Sequence, residues 1–200
     1  MLGVLLSASQ GCQRASTSAA TVPATTVATS TQPATSFKPA PVSERVRALL
    51  AQMTLEEKIG QMTQLANTTI NNTGQQKDIT LDSAKLIPLI KQFHVGSFLN
   101  GEAVDPAQWV KYSAALQRIA MRESRLHIPI IYGIDHMHGA SYVSGAAIFP
   151  HNLNLGATFN PEFSRQAARA TVLESADLGH HWVFAPVIDL GVNAQWPRLY

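Results

Sequence analysis

Three scarcities in the sequence exclude classes of protein before any motif is considered. Cys12 is the only cysteine among 200 residues, so no disulfide can form within the chain. Charged residues make up only 14%, the net charge is +2, and the arginines are scattered singly, which argues against a nucleic-acid-binding surface. No apolar run approaches the roughly 18 to 20 residues that cross a bilayer. The 46% of hydrophobic residues predict a globular chain with a core.

The N-terminus, MLGVLLSASQGC, is a short apolar stretch that leads through small residues to a Gly-Cys pair. A bacterial lipoprotein signal ends in this way, with the cysteine as the site of lipid attachment. The stretch departs from that pattern because no basic residue precedes it and Gln10 stands where a small residue is usual. We expect residues 1–12 to be a lipoprotein-type signal with Cys12 lipidated, so that any membrane link is an anchor. The alternative is a tail with an incidental cysteine.

Residues 13–41 are dominated by Ala, Ser, Thr and Pro, as in ASTSAATVPATTVATSTQPATS. Such a segment has no large apolar side chains whose burial could offset the entropy of ordering. We expect a disordered tether here, followed by a folded domain to which residues 42–200 belong. An N-terminus without a function would have the same composition.

Capping signals mark where the folded domain begins. In VSERVRALLAQM, Ser43 can cap a helix whose apolar residues recur at helical spacing, namely Val46, Leu49, Leu50 and Met53. Thr54 and Glu57 form a Thr-x-x-Glu capping box, which predicts the start of a second helix. The polar residues 67–80 that follow are typical of a loop.

Helices and apolar strands alternate through the rest of the chain. We predict helices over about 81–94, 106–125 and 161–178, with Asn160 capping and Gly179 ending the last one. The strands predicted after them are SFLN, IPIIYGI and WVFAPVIDL. This alternation is typical of a parallel α/β fold. Strands that are apolar on both faces mean that helices cover both sides of the sheet or that the sheet closes into a barrel.

Two aspartates, Asp135 and Asp189, end apolar strands. In parallel α/β folds the binding face lies at the carboxyl ends of the strands, so a carboxylate there is directed at a ligand. The alternative for Asp135 is that it caps the loop backbone or pairs with an arginine. The flanking Gly133 and Gly139 predict a sharp turn and close approach of a ligand to Asp135. A carboxylate that accepts hydrogen bonds from two adjacent hydroxyls suits a sugar. Turn residues after Asp189 favour a structural role for it.

Two pairs of histidines, His136/His138 and His180/His181, lack the accompanying cysteines or Glu-x-x-His pattern of a metal site. We therefore expect neutral imidazoles that pack or form hydrogen bonds.

The last residues, AQWPRLY, follow the last predicted strand. Trp196 offers an apolar platform for a sugar ring, and Arg198 offers fixed donors for ring hydroxyls. This pairing at a strand end indicates carbohydrate binding, with a cation–π or packing cluster as the alternative.

Several stretches together resemble glycoside hydrolase family 3, in its β-glucosidase and exo-β-glucanase branch. They are RVRALLAQMTLEEKIGQM, IPIIYGIDHMHG, FPHNLNLGATFNPEF, VFAPVIDL and WPRLY, in that order. The resemblance covers roughly residues 43–200. It implies an α/β fold, the N-terminal portion of a (β/α)8 TIM-like barrel, and retaining hydrolysis of β-linked glucosides without a cofactor.

The resemblance also implies roles for individual residues. Asp135 matches the aspartate that holds sugar hydroxyls in the subsite at the non-reducing end. Arg198 matches the arginine that shapes the same pocket, and Trp196 the aromatic beside it. The family's nucleophilic aspartate and acid/base glutamate come later than WPRLY, so the catalytic carboxylates are expected downstream of this chain, and no metal site is expected.

We therefore expect an exported hydrolase, either a periplasmic or outer-membrane-anchored lipoprotein or a secreted protein. It would remove terminal non-reducing β-D-glucosyl residues from glucosides or β-glucan oligosaccharides and would have no nucleic-acid partner. The chain by itself is expected to be an inactive fragment, because a barrel of this type takes about 250 residues. Two alternatives stay open: an N-acetyl-β-hexosaminidase of the same family, and a non-catalytic carbohydrate-binding remnant.

Overall fold

A computed structural model of the chain describes residues 42–75, 79–187, 192–193 and 195–196. The signal-like segment and the tether predicted from the sequence lie outside the described residues, as do three residues singled out above: Cys12, Asp189 and Arg198.

The two helices predicted at the start of the domain are confirmed. Helix α1 (Glu44–Gln52) is capped by Ser43, whose hydroxyl accepts a hydrogen bond from the Val46 N–H at 3.3 Å. Helix α2 (Leu55–Gln61) begins with the predicted capping box, in which Thr54 and Glu57 satisfy each other's backbone N–H groups. α1 buries none of its residues. Of its predicted apolar stripe, Leu49 is half-buried and Met53, directly after the helix, is buried.

Four strands form a single parallel sheet in the order β1-β2-β3-β4. They are β1 (Gln64–Ala66), β2 (Ser97–Leu99), β3 (Ile131–Ile134) and β4 (Trp182–Val183). The helices that follow β1, β2 and β3 are α3 (Ser83–Lys91), α4 (Pro106–Glu123), and the pair α5 (Asn152–Ala157) and α6 (Pro161–Asp177). Strand, helix and next parallel strand repeat three times, which confirms the predicted parallel α/β fold.

A large part of the core lies between the sheet and α4. Three α4 residues at helical spacing, Trp109, Tyr112 and Leu116, are buried against the strand residues Phe98 and Tyr132. Trp109, Phe98 and Tyr132 are at most 1% exposed. Burial of these aromatic and aliphatic side chains is the main force that holds α4 on the sheet.

The ends of α6 have the predicted chemistry. The Asn160 side chain accepts a hydrogen bond from the Glu162 N–H at 3.1 Å, and Gly179 adopts φ 81° directly after the helix. A Cβ at residue 179 would also lie 2.9 Å from the Ser113 Cβ, so glycine allows close contact with α4.

Among the described residues the sheet has two edge strands. In the described ranges, β1 and β4 each have a strand neighbour on one side only, whereas every strand of a closed barrel has two. No helix in those ranges is long and apolar enough to cross a membrane.

Candidate functional site

The carboxyl ends of β2 and β3 bring Asn100 and Asp135 together. The register pairs Leu99 with Gly133, so the two polar residues follow neighbouring strands at the same edge of the sheet. The Asn100 Nδ2 donates to Asp135 Oδ2 at 3.0 Å, and the Asp135 N–H donates to Asn100 Oδ1 at 3.2 Å. Both side chains are half-buried. Asp135 therefore presents a carboxylate at the edge where parallel α/β folds bind ligands.

The two oxygens of this carboxylate differ in their hydrogen bonds. Within the described part of the chain, Asp135 Oδ2 accepts from Asn100, and no hydrogen bond reaches Oδ1. An ionised carboxylate oxygen has about two acceptor positions, and a neutral hydroxyl that donates to it makes a charge-assisted bond. The site can thus accept hydrogen bonds from hydroxyl groups of a ligand.

The two glycines near Asp135 serve packing within the chain. A Cβ on Gly133 would lie 2.3 Å from Cζ of Phe184, whose ring lies against this point of β3. Gly139 has φ 117°, and a Cβ there would lie 2.1 Å from the Ala147 carbonyl oxygen. These glycines let other atoms of the chain approach closely. The sequence analysis had predicted the close approach of a ligand.

The loop after Asp135 is fastened to the sheet. The Met137 N–H and the Ser141 hydroxyl donate to the Asp135 carbonyl at 3.1 and 3.4 Å. Further along, the Trp109 indole N–H donates to the Tyr142 carbonyl at 2.6 Å. These bonds hold the loop in place from both the strand end and helix α4.

Tyr142 contributes a second polar group near the carboxylate. Burial raises the pKa of its phenol, and the negative charges of Asp135 and Glu102 raise that pKa further. Tyr142 therefore stays protonated at neutral pH and keeps an O–H donor near two carboxylates.

Directly after Asp135, His136 is buried and contacts His180. Their Nε2 and Nδ1 atoms lie 3.2 Å apart, so one ring donates to the other. Burial lowers the pKa of His136 to about 4, against a smaller opposing effect of Asp135. Burial and the neighbouring His136 and His181 lower the pKa of His180 to about 3. Both imidazoles are neutral at neutral pH, in agreement with the packing role expected from the sequence.

Aromatic rings support the end of β3 from below. Tyr132 makes edge contacts with Trp109 and Tyr112, at ring-centroid distances of 5.7 and 5.9 Å, and stacks on His180 at 5.8 Å. Burial raises the pKa of Tyr132 well above its ordinary value. The phenol is therefore protonated, and it donates to the Asn100 carbonyl at 2.5 Å.

A separate apolar cleft of about 420 Å³ lies beside β4. Its walls are the segment His136–Gly139, faces of α5 and α6, Val183, and residues 185–187. Asp135 is not one of the lining residues. Among the described residues, no group of three or more His, Cys, Asp or Glu side chains could hold a metal ion.

The other predicted sugar-contacting residue that the structure describes is Trp196. It is half-buried, and its N–H donates to the Asn193 carbonyl at 3.0 Å. No hydrogen bond joins Trp196 to Asp135 in the described part of the chain. Asn100 was not singled out from the sequence, although its place at the end of the predicted strand SFLN was a usable signal.

Comparison with known proteins identifies the family of this chain. The family profile described as the glycosyl hydrolase family 3 N-terminal domain matches residues 54–200. The chain belongs to glycoside hydrolase family 3. Its parallel sheet with covering helices is part of that family's TIM-barrel-type domain, which confirms the predicted fold class.

Curated relatives of this family 3 chain carry β-glucosidase names. The lysosomal beta glucosidase of Dictyostelium discoideum is 38% identical over 162 residues, which cover 76% of this chain and 19% of the relative. The periplasmic beta-glucosidase of Salmonella typhimurium is 29% identical over 153 residues, covering 76% of this chain and 17% of the relative. The chain thus spans less than a fifth of the length of these two relatives.

Solved structures of family members have the same fold. The exo-1,3/1,4-beta-glucanase from a Pseudoalteromonas species is 33% identical, with a TM-score of 0.57, over 71% of this chain and 17% of that protein. The beta-glucosidase from Listeria innocua in complex with glucose is 30% identical, with a TM-score of 0.55, over 78% of this chain and 20% of that protein.

Proposed function

We propose that this protein is a β-glucosidase that removes terminal non-reducing β-D-glucosyl residues from glucosides or β-glucan oligosaccharides. The observation that carries the proposal is the half-buried Asp135 carboxylate at the carboxyl end of β3, whose Oδ1 accepts no hydrogen bond from the described part of the chain. Membership of family 3 and the β-glucosidase and exo-glucanase names of its relatives support the same substrate class. No cofactor enters the proposal.

Asp135 acts in this proposal by binding sugar hydroxyls. Its open oxygen accepts hydrogen bonds from hydroxyls of the terminal glucosyl ring, and the ion charge strengthens them. Trp196 and Arg198 are proposed as further contacts of the same ring, an aromatic face and a guanidinium donor. Several contacts to one ring would fix its orientation relative to the groups that cleave the bond.

Bond cleavage is proposed to follow the retaining mechanism. That mechanism needs two carboxyl groups about 5 to 5.5 Å apart, one as nucleophile and one as proton donor. Asp135 already has a binding role, and the relatives are several times longer than this chain. We therefore place the nucleophile and the acid/base residue downstream of residue 200, so that the 200-residue chain alone would be inactive.

The protein is proposed to be exported. We propose that residues 1–12 are a signal, that Cys12 is lipidated, and that residues 13–41 tether the barrel domain, whose N-terminal part is residues 42–200, to a membrane. Relatives named periplasmic from Salmonella typhimurium and Dickeya chrysanthemi support an exported location. Mass spectrometry of the mature protein tests the anchor, since a diacylglyceryl group on Cys12 is expected and an unmodified Cys12 contradicts it.

The test of the glucosidase proposal is the Asp135→Asn variant of the protein expressed from its complete reading frame. The amide keeps the shape and the bond to Asn100 but loses the charge. We expect kcat/KM on an aryl β-D-glucoside to fall about 100-fold, because hydrogen bonds to a charged group contribute roughly 1.5 to 3 kcal/mol each. Asp177→Asn, the same change at the exposed end of α6, is the matched control and should leave kcat/KM unchanged. Equal kinetics for the two variants would remove Asp135 from the sugar site.

A second activity is supported by the names of two relatives. The Cellulomonas fimi relative, 28% identical, is named a beta-N-acetylglucosaminidase/beta-glucosidase, and the Formosa agariphila relative, 28% identical, a putative beta-xylosidase. Aryl β-glucoside, β-N-acetylglucosaminide and β-xyloside should therefore be compared at equal concentration. The proposal requires the glucoside to have the highest kcat/KM of the three. No turnover of any of them would favour a non-catalytic carbohydrate-binding protein.

A further inference from the structure

Asn100 is held in a single orientation by its contacts with Asp135. Because the Asp135 N–H donates to Asn100 Oδ1, the other end of the amide, Nδ2, has to face the carboxylate. The amide therefore works as a two-pronged clamp on Asp135, with one prong on the backbone and one on the side chain. Rotation of the carboxylate about its last torsion would break the 3.0 Å bond to Oδ2.

The backbone of Asn100 is fixed just as firmly. Its N–H donates to the Gly133 carbonyl at 2.9 Å, and its carbonyl accepts from the buried Tyr132 phenol at 2.5 Å. The residue adopts φ 60°, a left-handed conformation that asparagine tolerates better than most residues. The clamp thus rests on a rigid base built from the end of β3.

We propose that Asn100 is a positioning residue for the sugar-binding carboxylate. By occupying Oδ2 it turns Oδ1 of Asp135 toward the ligand and fixes the direction of the hydrogen bonds that Oδ1 can accept. This inference rests on the proposed function, in which Asp135 binds hydroxyls of the terminal glucosyl ring. Asn100 acts only through Asp135 and touches no reacting atom.

Two substitutions of Asn100 test the proposal in the protein expressed from its complete reading frame. Asn100→Gly removes the clamp and keeps the left-handed backbone without strain. Asn100→Asp keeps the shape and the acceptor for the Asp135 N–H but puts a second carboxylate against Oδ2. We expect kcat/KM on an aryl β-D-glucoside to fall about 10- to 100-fold for both, the range of one hydrogen bond to a charged group, with the larger loss for Asn100→Asp.

Coupling between Asn100 and Asp135 distinguishes a positioning role from a general structural role. In the double variant Asn100→Gly/Asp135→Asn, the glycine should add almost nothing to the loss caused by Asp135→Asn alone. The amide at residue 135 can still accept from Asn100, but the charged oxygen that Asn100 directs at the sugar is already gone. A merely structural role predicts two losses that multiply, together with a lower Tm. Asn160→Asp, the same chemical change at the cap of α6, is the control and should match the wild type, because aspartate caps as well as asparagine.

The possible outcomes distinguish a failure of the positioning role from a failure of the proposed glucosidase function. A loss for Asp135→Asn with wild-type kinetics for both Asn100 variants would overturn the positioning role and leave the glucosidase site standing. Losses that multiply in the double variant would overturn it as well. Wild-type kinetics for Asp135→Asn would overturn the proposed site, and with it any role for Asn100 as its positioner. Coupled losses with unchanged Tm support the proposal.

Discussion

Arg125, just after α4, holds Glu57 of α2 through two hydrogen bonds. The Arg125 Nε donates to Glu57 Oε1 at 2.8 Å and Nη2 to Oε2 at 2.6 Å, although the residues are 68 positions apart. Nη2 also donates to the Gln52 carbonyl at 2.8 Å. Oε2 of Glu57 accepts from the Thr54 N–H as part of the capping box. One arginine therefore links the end of α1, the start of α2 and the end of α4.

Glu57→Gln should destabilise the protein at neutral pH and should make its thermal stability depend less on pH in acid. Hydrogen bonds from Arg125 and then from Thr54 lower the pKa of Glu57 to about 2, against an ordinary value of 4.5. Between about pH 5 and pH 2 the unfolded state therefore binds more protons than the folded state. The stability contributed by the ionised carboxylate is lost across that range. Thermal unfolding between pH 7 and pH 2 measures both effects.

Glu162→Gln is the control for that experiment. Glu162 also accepts two hydrogen bonds from an arginine, Arg165, but this pair is exposed and lies within one turn of α6. Exposed pairs contribute little, so the Tm should barely change. Equal Tm losses for the two variants would mean that the long-range link made by Arg125 adds nothing.

The buried His136–His180 pair should also make the stability of the fold depend on pH, in a range less acidic than that of Glu57. The pKa values of about 4 and about 3 lie below the ordinary value of 6.5. Between pH 6.5 and 4 the unfolded state takes up protons that the folded state does not, so stability is full above pH 6.5 and falls below it. His180→Gln removes one of these groups, and its Tm should fall less between pH 7 and pH 4.5. An unchanged slope of Tm against pH would contradict the buried neutral pair.

Much of the fold could be predicted from the sequence because local chemistry agrees with the final structure. Ser43, Thr54 and Asn160 cap the helices that the sequence assigned to them. Their side chains bond to backbone groups two or three residues away, so the signal is complete within a short window. The α/β class followed in the same way, from apolar segments separated by amphipathic ones.

Two elements were not predicted because their length gives no periodicity. β1 has only three residues, Gln64–Ala66, and its pairing with β2 depends on residues more than thirty positions away. α5 has six residues, includes Gly156 and buries none of them. Neither a period of two nor one of 3.6 can be recognised in such short segments.

The candidate site was half predictable for a related reason. Asp135 could be found because a charged residue directly after an apolar strand stands out in the sequence. Asn100 is polar, common in turns and 35 positions away from its partner, so a turn explains it equally well in the sequence. Only the register between β2 and β3 brings the amide to the carboxylate. Contacts between strand ends are set by tertiary structure.

Alanine substitutions at three glycines should differ in a defined order. Gly139→Ala combines φ 117° with a Cβ only 2.1 Å from the Ala147 carbonyl oxygen and should cost roughly 2 to 4 kcal/mol of unfolding free energy. Gly145→Ala has φ 84° but open space, so we expect about 1 kcal/mol from the backbone alone. Gly156→Ala in α5 meets no atom and should be neutral or stabilising by up to about 1 kcal/mol.

Chemical denaturation of the three glycine variants measures this order. Because Gly139 lies four residues after Asp135, kcat/KM on an aryl β-glucoside should fall for Gly139→Ala and stay close to the wild type for Gly156→Ala. A Gly139→Ala protein as stable as Gly145→Ala would show that the loop can move away from the added methyl group.

Trp109→Phe should loosen the loop after Asp135 as well as the core. Trp109 is 0% exposed and touches Tyr132 and His180, and its indole N–H donates to the Tyr142 carbonyl at 2.6 Å. Phenylalanine leaves a small cavity and removes the donor, so unfolding should become easier by about 2 to 4 kcal/mol. Ile134→Val, in the same core and without a hydrogen bond to the loop, should cost about 1 kcal/mol. If the indole bond holds the loop, kcat/KM should fall more for Trp109→Phe than for Ile134→Val, even at temperatures where both variants are fully folded. Equal kcat/KM values under those conditions would mean that the bond contributes to stability alone.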